Sequence, residues 1–162
     1  MNGRLLWQIF KEKIMAKILL LHGINHAMFG KRDPKHYGTF TLQDIESAAA
    51  EWAAEQGCEL ECYQTDIEGE LARKIHQAFL EDVDAIVINA GAWTHYSYGL
   101  TDALAIFKDK GPIVEVHMSN VHAREEFRHK SVFSHVVIGQ ISGFGLTSYK
   151  LGITAAADAL KA

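Results

Sequence analysis

The 162-residue sequence predicts an α/β domain in which five parallel strands form a doubly wound, three-layer αβα arrangement. Three observations carry that expectation. Short apolar runs, such as KILLL at 17–21 and VDAIVIN at 83–89, read as strands covered on both faces. Between such runs lie stretches whose apolar residues recur at spacings of three and four, the signature of one buried helix face. The two patterns alternate along the chain, and strands joined through helices require right-handed crossovers and hence a parallel sheet.

Each element follows in order. The first strand, 17–21, runs into His22-Gly23, and a loop rich in Gly, Pro and basic residues occupies 23–39. A helix is predicted over 41–56 because Leu42, Ile45, Ala49, Trp52 and Ala53 share a face. Thr41 and Asp44 resemble a capping pair at its start, and Gly57 is placed to end it. Strands are then predicted over 59–64, 83–89, 112–117 and 136–141, and helices over 68–80, 97–108 and 146–160. Five strands in so short a chain predict the flavodoxin-like order, with ligands outside the carboxyl ends of the strands. No internal repeat and no second domain is visible, so a single domain is expected over 15–162. Residues 1–14, MNGRLLWQIFKEKI, read as a leader, disordered or helical. Their apolar run is short, Gln8 interrupts it, and no small-x-small cleavage site follows.

Composition excludes several classes. Hydrophobic residues make up 48% and charged residues 22%, enough apolar content for a sizeable core. No apolar run approaches the roughly 20 residues that span a bilayer, so no membrane association is expected. A net charge of −4 argues against a basic nucleic-acid-binding face. Cys58 and Cys62 fall on one predicted strand, which would hold their Cα atoms about 13 Å apart, beyond disulfide reach. They read as packing residues, and such cysteine usage points to a reducing, cytoplasmic setting.

The strand ends gather polar residues where a doubly wound sheet places its site. The first leads into His22-Gly23-Ile24-Asn25, the third into Asn89 through His95, and the fourth into His117 through His122. Familiar cradles are missing: there is no G-x-x-x-x-G-K-[ST], and Gly143-Phe144-Gly145-Leu146-Thr147-Ser148 follows the last strand, where it reads as a tight turn. No H-E-x-x-H and no G-x-S-x-G occurs, so neither a catalytic metal nor a serine nucleophile is expected.

Two segments carry chemistry. In Gly30-Lys31-Arg32-Asp33-Pro34-Lys35-His36-Tyr37-Gly38, basic residues surround one tyrosine. That reads either as a solvated basic loop or as a phenolate base stabilised by Arg32. Only about one free phenol in a thousand is ionised at neutral pH. A guanidinium about 4 Å away at an effective dielectric of about 20 contributes up to roughly 4 kcal/mol, enough to offset that deficit before desolvation takes part of it back. In HMSNVHAREEFRHK, 117–130, Arg124 and Arg128 would share a helix face around Glu125 and Glu126. A salt-bridged surface helix and an anion or polyol clamp both fit that spacing.

Three ordered blocks resemble the type II 3-dehydroquinate dehydratases: H-G-I-N-H-A-M-F-G-K-R-D-P-K-H-Y-G, I-N-A-G-A-W-T-H-Y-S-Y-G-L-T-D-A and V-E-V-H-M-S-N-V-H-A-R-E-E-F-R-H-K-S. The resemblance covers 16–162. It implies a hydro-lyase that converts 3-dehydroquinate to 3-dehydroshikimate by anti elimination through an enolate, with no metal or organic cofactor. By resemblance, Tyr37 is the base, Arg32 keeps it ionised, and Asn25 holds a water at the enolate oxygen. His117, oriented by Glu115, is the general acid. Asn89, His95, Met118 (through its backbone), Ser119 and Arg128 would bind the substrate, with Arg124 matching a second lid arginine. Asp102 would reach a neighbouring subunit's site, implying trimers assembled into a homododecamer. The sequence departs from the family pattern at His22, Ile24, His26, Ala90, Trp93 and Thr101. The competing expectation is a flavodoxin-like binding module that keeps the pocket without turnover.

Overall fold

The computed structural model describes residues 15–162, so the leader expected over 1–14 lies outside the described residues. Five strands form one parallel sheet: β1 (Ala16–His22), β2 (Cys58–Gln64), β3 (Ala85–Asn89), β4 (Ile113–His117) and β5 (Gly139–Ser142). Their order is 2-1-3-4-5, the flavodoxin-like order. The helices are α1 (Pro34–Tyr37, a single turn), α2 (Leu42–Glu55), α3 (Glu68–Leu80), α4 (Tyr98–Phe107) and α5 (Leu146–Ala159).

The period-2 alternation of side chains splits the core into two layers. On one face Leu19, Leu21, Ile86, Ile88 and Ile113 pack with Leu71 and Ile75 of α3 and Leu104 and Phe107 of α4. On the other, Ile18, Leu20, Val87, Val114 and Val116 pack with Ile45 and Ala49 of α2 and Tyr149 and Ile153 of α5. Both faces of the sheet are thus covered, which is why its central strands β1 and β3 read as continuous apolar runs. Gly152 lets α5 seat closely, because a Cβ there would stand 2.4 Å from a methyl of Val116. Gly23 is required where β1 leaves the sheet. A Cβ at that position would sit 2.3 Å from the Ala90 carbonyl oxygen.

Local signals behave as the sequence predicts in most places. Thr41 and Asp44 form a reciprocal capping box at the start of α2, an arrangement worth about 1 kcal/mol. Cys58 and Cys62 are both free thiols on β2, and burial pushes the Cys62 thiol up to about 12, so it is an inert packing group. No helix among the described residues is long and apolar enough to cross a membrane.

Three expectations need correction. The strand predicted over 136–141 begins only at Gly139, because the amides of Val136 and Val137 turn back to the Phe133 carbonyl. The loop at 23–39 contains structure: a 3-10 turn at His26–Met28 and the α1 turn. Asp33 caps α1 by accepting from the Lys35 amide at 2.9 Å, and Pro34 stands at its first position. Finally, Arg124 and Arg128 do not share a helix face. Their segment forms two 3-10 turns, Val121–Ala123 and Glu126–Arg128, with Arg124 extended between them. The Asn120 side chain captures the His122 amide at 3.2 Å, and the extended Arg124 backbone breaks any continuous helix.

Candidate active site

The cleft lies at the carboxyl ends of β1, β3 and β4, and the sheet's alternation explains what points into it. Glu115 and His117 are two apart on β4, so their side chains project from the same face and meet. The Nε2–H of His117 donates to Glu115 Oε1 at 2.7 Å, which leaves Nδ1 as the ring nitrogen free for a ligand. Glu115 is buried, and its other oxygen accepts from the Ser131 hydroxyl at 2.6 Å and the Gln140 amide at 3.3 Å. A buried carboxylate with three donors is fully satisfied and held in one orientation.

The α1 turn delivers Tyr37. Its hydroxyl oxygen accepts from Arg32 Nη2 and from Arg124 Nη1, each at 3.0 Å. The Arg32 guanidinium also lies over the ring, 3.9 Å from its centroid. Arg124 donates from the same Nη1 to the Ser119 hydroxyl at 3.0 Å, so it ties the segment after β4 to the tyrosine. The second guanidinium on the phenol was invisible in sequence, where 87 residues separate it from Tyr37.

Asn25, Arg32, Tyr37, Asn89, His95, His117, Met118, Ser119, Arg124 and Arg128 all line this one cleft. Asn25 is the one non-glycine among the described residues with a left-handed backbone, φ 67°, and its amide donates to the Asp66 carboxylate at 2.7 Å. His95 donates from Nδ1 to the Lys130 carbonyl at 2.8 Å, and its ring stacks 6.1 Å from that of His117. Burial is the main influence holding the His95 imidazole below its usual value, and it is therefore neutral near pH 7. Glu125 binds Arg128 at 2.8 Å and approaches Arg124 at 3.5 Å, so the ion pairing read from the sequence exists without the helix.

Asp102 is the exception among the expected site residues: it is exposed on α4 and does not line the cleft. The departures at Ala90 and Trp93 are buried core positions, and Thr101 donates to the Ser97 carbonyl at 2.9 Å within α4. Ser131 and Gln140, which hold Glu115, went unread in the sequence. Gln140 had a legible signal only once the register is known, since it pairs with Glu115 across β4 and β5.

Two further histidines are buried here, His26 in the cleft lining and His22 behind it. His22 is fully buried and its imidazole is pushed down to about 3 by burial; His26 stacks on Phe29 and is pushed well below its usual value, again chiefly by burial. Both are therefore neutral in the folded chain and gain a proton on unfolding below about pH 6.5. Stability from this source is complete above that pH and declines as pH falls toward the folded-state values, by up to about 1.4 kcal/mol per pH unit for each histidine. Urea unfolding at about pH 7.5 and about pH 5 checks this, and equal stability at the two values would contradict it.

A carboxylate-backed imidazole and a tyrosine gripped by two guanidiniums, gathered at the ends of parallel strands, define a doubly wound α/β protein equipped for acid–base chemistry. The family model described as Dehydroquinase class II matches residues 16–157. The 3-dehydroquinate dehydratase of Syntrophotalea carbinolica is 65% identical over 147 residues, covering 91% of this chain and 98% of that protein. That of Pelobacter propionicus is 60% identical over 148 residues, covering 91% and 98%. The crystal structure of the type II dehydroquinase from Propionibacterium acnes superposes with a TM-score of 0.83 at 42% identity, covering 89% of this chain and 98% of that one. The chain belongs to the class II dehydroquinase family.

Proposed function

We propose that the chain is a hydro-lyase that reversibly dehydrates 3-dehydroquinate to 3-dehydroshikimate, by anti elimination through an enolate. The observation that carries this reading is the doubly held Tyr37 oxygen in the same cleft as the His117–Glu115 pair. Loss of a hydroxyl beta to a ketone needs a base, a partner for the enolate oxygen and an acid at the leaving group. Tyr37, as phenolate, takes the proton beside the ketone, and the C–H electron pair moves into the enolate. Two guanidinium donors converge on that one oxygen, each at 3.0 Å. Asn25 holds a water against the enolate oxygen. The enolate then collapses, the carbon–oxygen bond breaks, and His117 protonates the departing hydroxyl, which leaves as water. A carboxylate at hydrogen-bond distance is the partner an imidazolium requires, and Glu115 fills that place.

Asn89, His95, Ser119, Arg128 and the backbone of Met118 bind the substrate's carboxylate and hydroxyls. Arg124 joins them through Ser119 while completing the grip on Tyr37. Asp102, exposed and outside its own chain's cleft, is available to a neighbouring subunit, in keeping with a trimer-based dodecamer. The enzyme would act in the cytoplasm, in the shikimate pathway or quinate breakdown.

Adding 3-dehydroquinate is expected to raise ultraviolet absorbance as the conjugated enone acid forms. A flat trace with saturable binding would instead identify a binding module without turnover. EDTA is expected to leave the rate unchanged, since among the described residues no three His, Cys, Asp or Glu side chains are grouped to hold a metal ion. A rate abolished by EDTA would restore a metal-dependent reading.

A further inference from the structure

Behind the cleft, β1 and β3 place His22 and Asn89 side by side, as register partners on the face covered by α5. Tyr149 of α5 is fully buried between them, and its hydroxyl contacts both. The direction of every proton in this group follows from one backbone amide. Gly91 N–H can only donate, and it points at Asn89 Oδ1, 3.3 Å away. The opposite side of the amide, Nδ2, therefore faces Tyr149 and donates to its oxygen at 2.8 Å. With its oxygen accepting, the Tyr149 proton must go elsewhere, and His22 Nδ1 stands 3.4 Å away.

His22 is neutral, because burial holds its imidazole down to about 3. Nδ1 accepts the Tyr149 proton, so in the neutral ring Nε2 carries the hydrogen. Nε2 has no hydrogen-bond partner, and the nearest charge to it is the Glu46 carboxylate on α2, 3.9 Å away. That carboxylate favours a hydrogen on Nε2 and so fixes the tautomer. The chain runs in one direction, from Asn89 through Tyr149 to His22 and out toward Glu46. It uses one Nδ2 hydrogen of Asn89 and leaves the other for the cleft that Asn89 lines.

We propose that Tyr149 and His22 are positioning residues that lock the Asn89 amide, so that this side chain presents a hydrogen-bond donor to an oxygen of the substrate. The inference rests on the reading of Asn89 as a substrate-binding residue. Neither Tyr149 nor His22 touches the substrate. Without them only the 3.3 Å contact from the Gly91 N–H holds the amide, and a flip that turns its carbonyl oxygen toward the substrate becomes more accessible.

Steady-state kinetics on the full chain with 3-dehydroquinate tests this. A contact to a non-reacting oxygen is present in ground and transition states alike, so its loss raises KM more than it lowers kcat. Tyr149→Phe keeps the buried ring and removes only the hydroxyl; KM is expected to rise about tenfold with a much smaller change in kcat. His22→Leu removes the acceptor and should act in the same way. His22→Asn retains an acceptor oxygen near the place of Nδ1 and should hold KM close to that of the parent. In an Asn89→Ala background, adding Tyr149→Phe should change KM no further, because the two act through one group.

An unchanged KM in Tyr149→Phe, while Asn89→Ala raises it, overturns the positioning role and leaves the binding role of Asn89 standing. An effect of Tyr149→Phe that persists undiminished in the Asn89→Ala background also overturns it. So does a fall in kcat that only tracks loss of folded protein, measured by the urea midpoint. If Asn89→Ala itself leaves KM unchanged, the reading of Asn89 fails, and the purpose assigned to the chain falls with it.

Discussion

Tyr37→Phe is expected to lower kcat by at least about a hundredfold, the scale at which general-base catalysis operates. The substitution removes one oxygen and little else. The ring stays beneath the Arg32 guanidinium, 3.9 Å from its centroid, and the α1 turn keeps its Asp33 cap. KM should therefore change far less than kcat, since binding groups on β3 and β4 are untouched. The two arginines lose their shared acceptor, but Arg124 retains the Ser119 hydroxyl and its contact with Glu125. A variant that turns over near the parental rate in the enone assay would remove Tyr37 from its role.

His117→Asn should produce a loss of comparable size, about 10²- to 10⁴-fold in kcat, because the departing hydroxyl then leaves without a proton donor. Asparagine also ends the contact that the imidazole makes with Glu115 at 2.7 Å, and it leaves that buried carboxylate with Ser131 and Gln140 as its donors. Some stability is expected to go with it, as for any buried charge deprived of a partner. Measuring kcat together with the urea midpoint separates the two effects. Parental kcat in a stably folded His117→Asn chain would contradict the assignment of the acid.

The sheet and its helices were legible because the central strands β1, β3 and β4 are buried on both faces and each long helix carries one apolar stripe. Those are local patterns, and β1 through β4 with α2 to α5 follow from them. Strand 136–141 misled because Val136 and Val137 are apolar and β-branched, yet they close a turn on Phe133 before β5 begins. Arg124 and Arg128 misled for a related reason: their spacing of four suits a helix, whereas Asn120 and the extended Arg124 backbone break the segment into two 3-10 turns. Much of the site was legible as polar strand ends and a basic loop around one tyrosine. The groups behind it were not. Arg124 reaching Tyr37, Ser131 and Gln140 holding Glu115, and Tyr149 meeting Asn89 are all contacts between distant segments. The β4–β5 register creates the Gln140 contact, the docking of α5 creates the Tyr149 contact, and the segment after β4 brings in Arg124 and Ser131.

Hydrogen exchange into unreacted 3-dehydroquinate, followed by NMR in deuterium oxide, separates proton removal from hydroxyl loss. With His117→Asn, the carbon beside the ketone should take up deuterium while little product forms, because Tyr37 still makes the enolate and the enolate returns. With Tyr37→Phe, neither exchange nor product should appear above the protein-free control. Deuterium uptake in the Tyr37→Phe chain at the rate seen with His117→Asn would show that another group removes the proton.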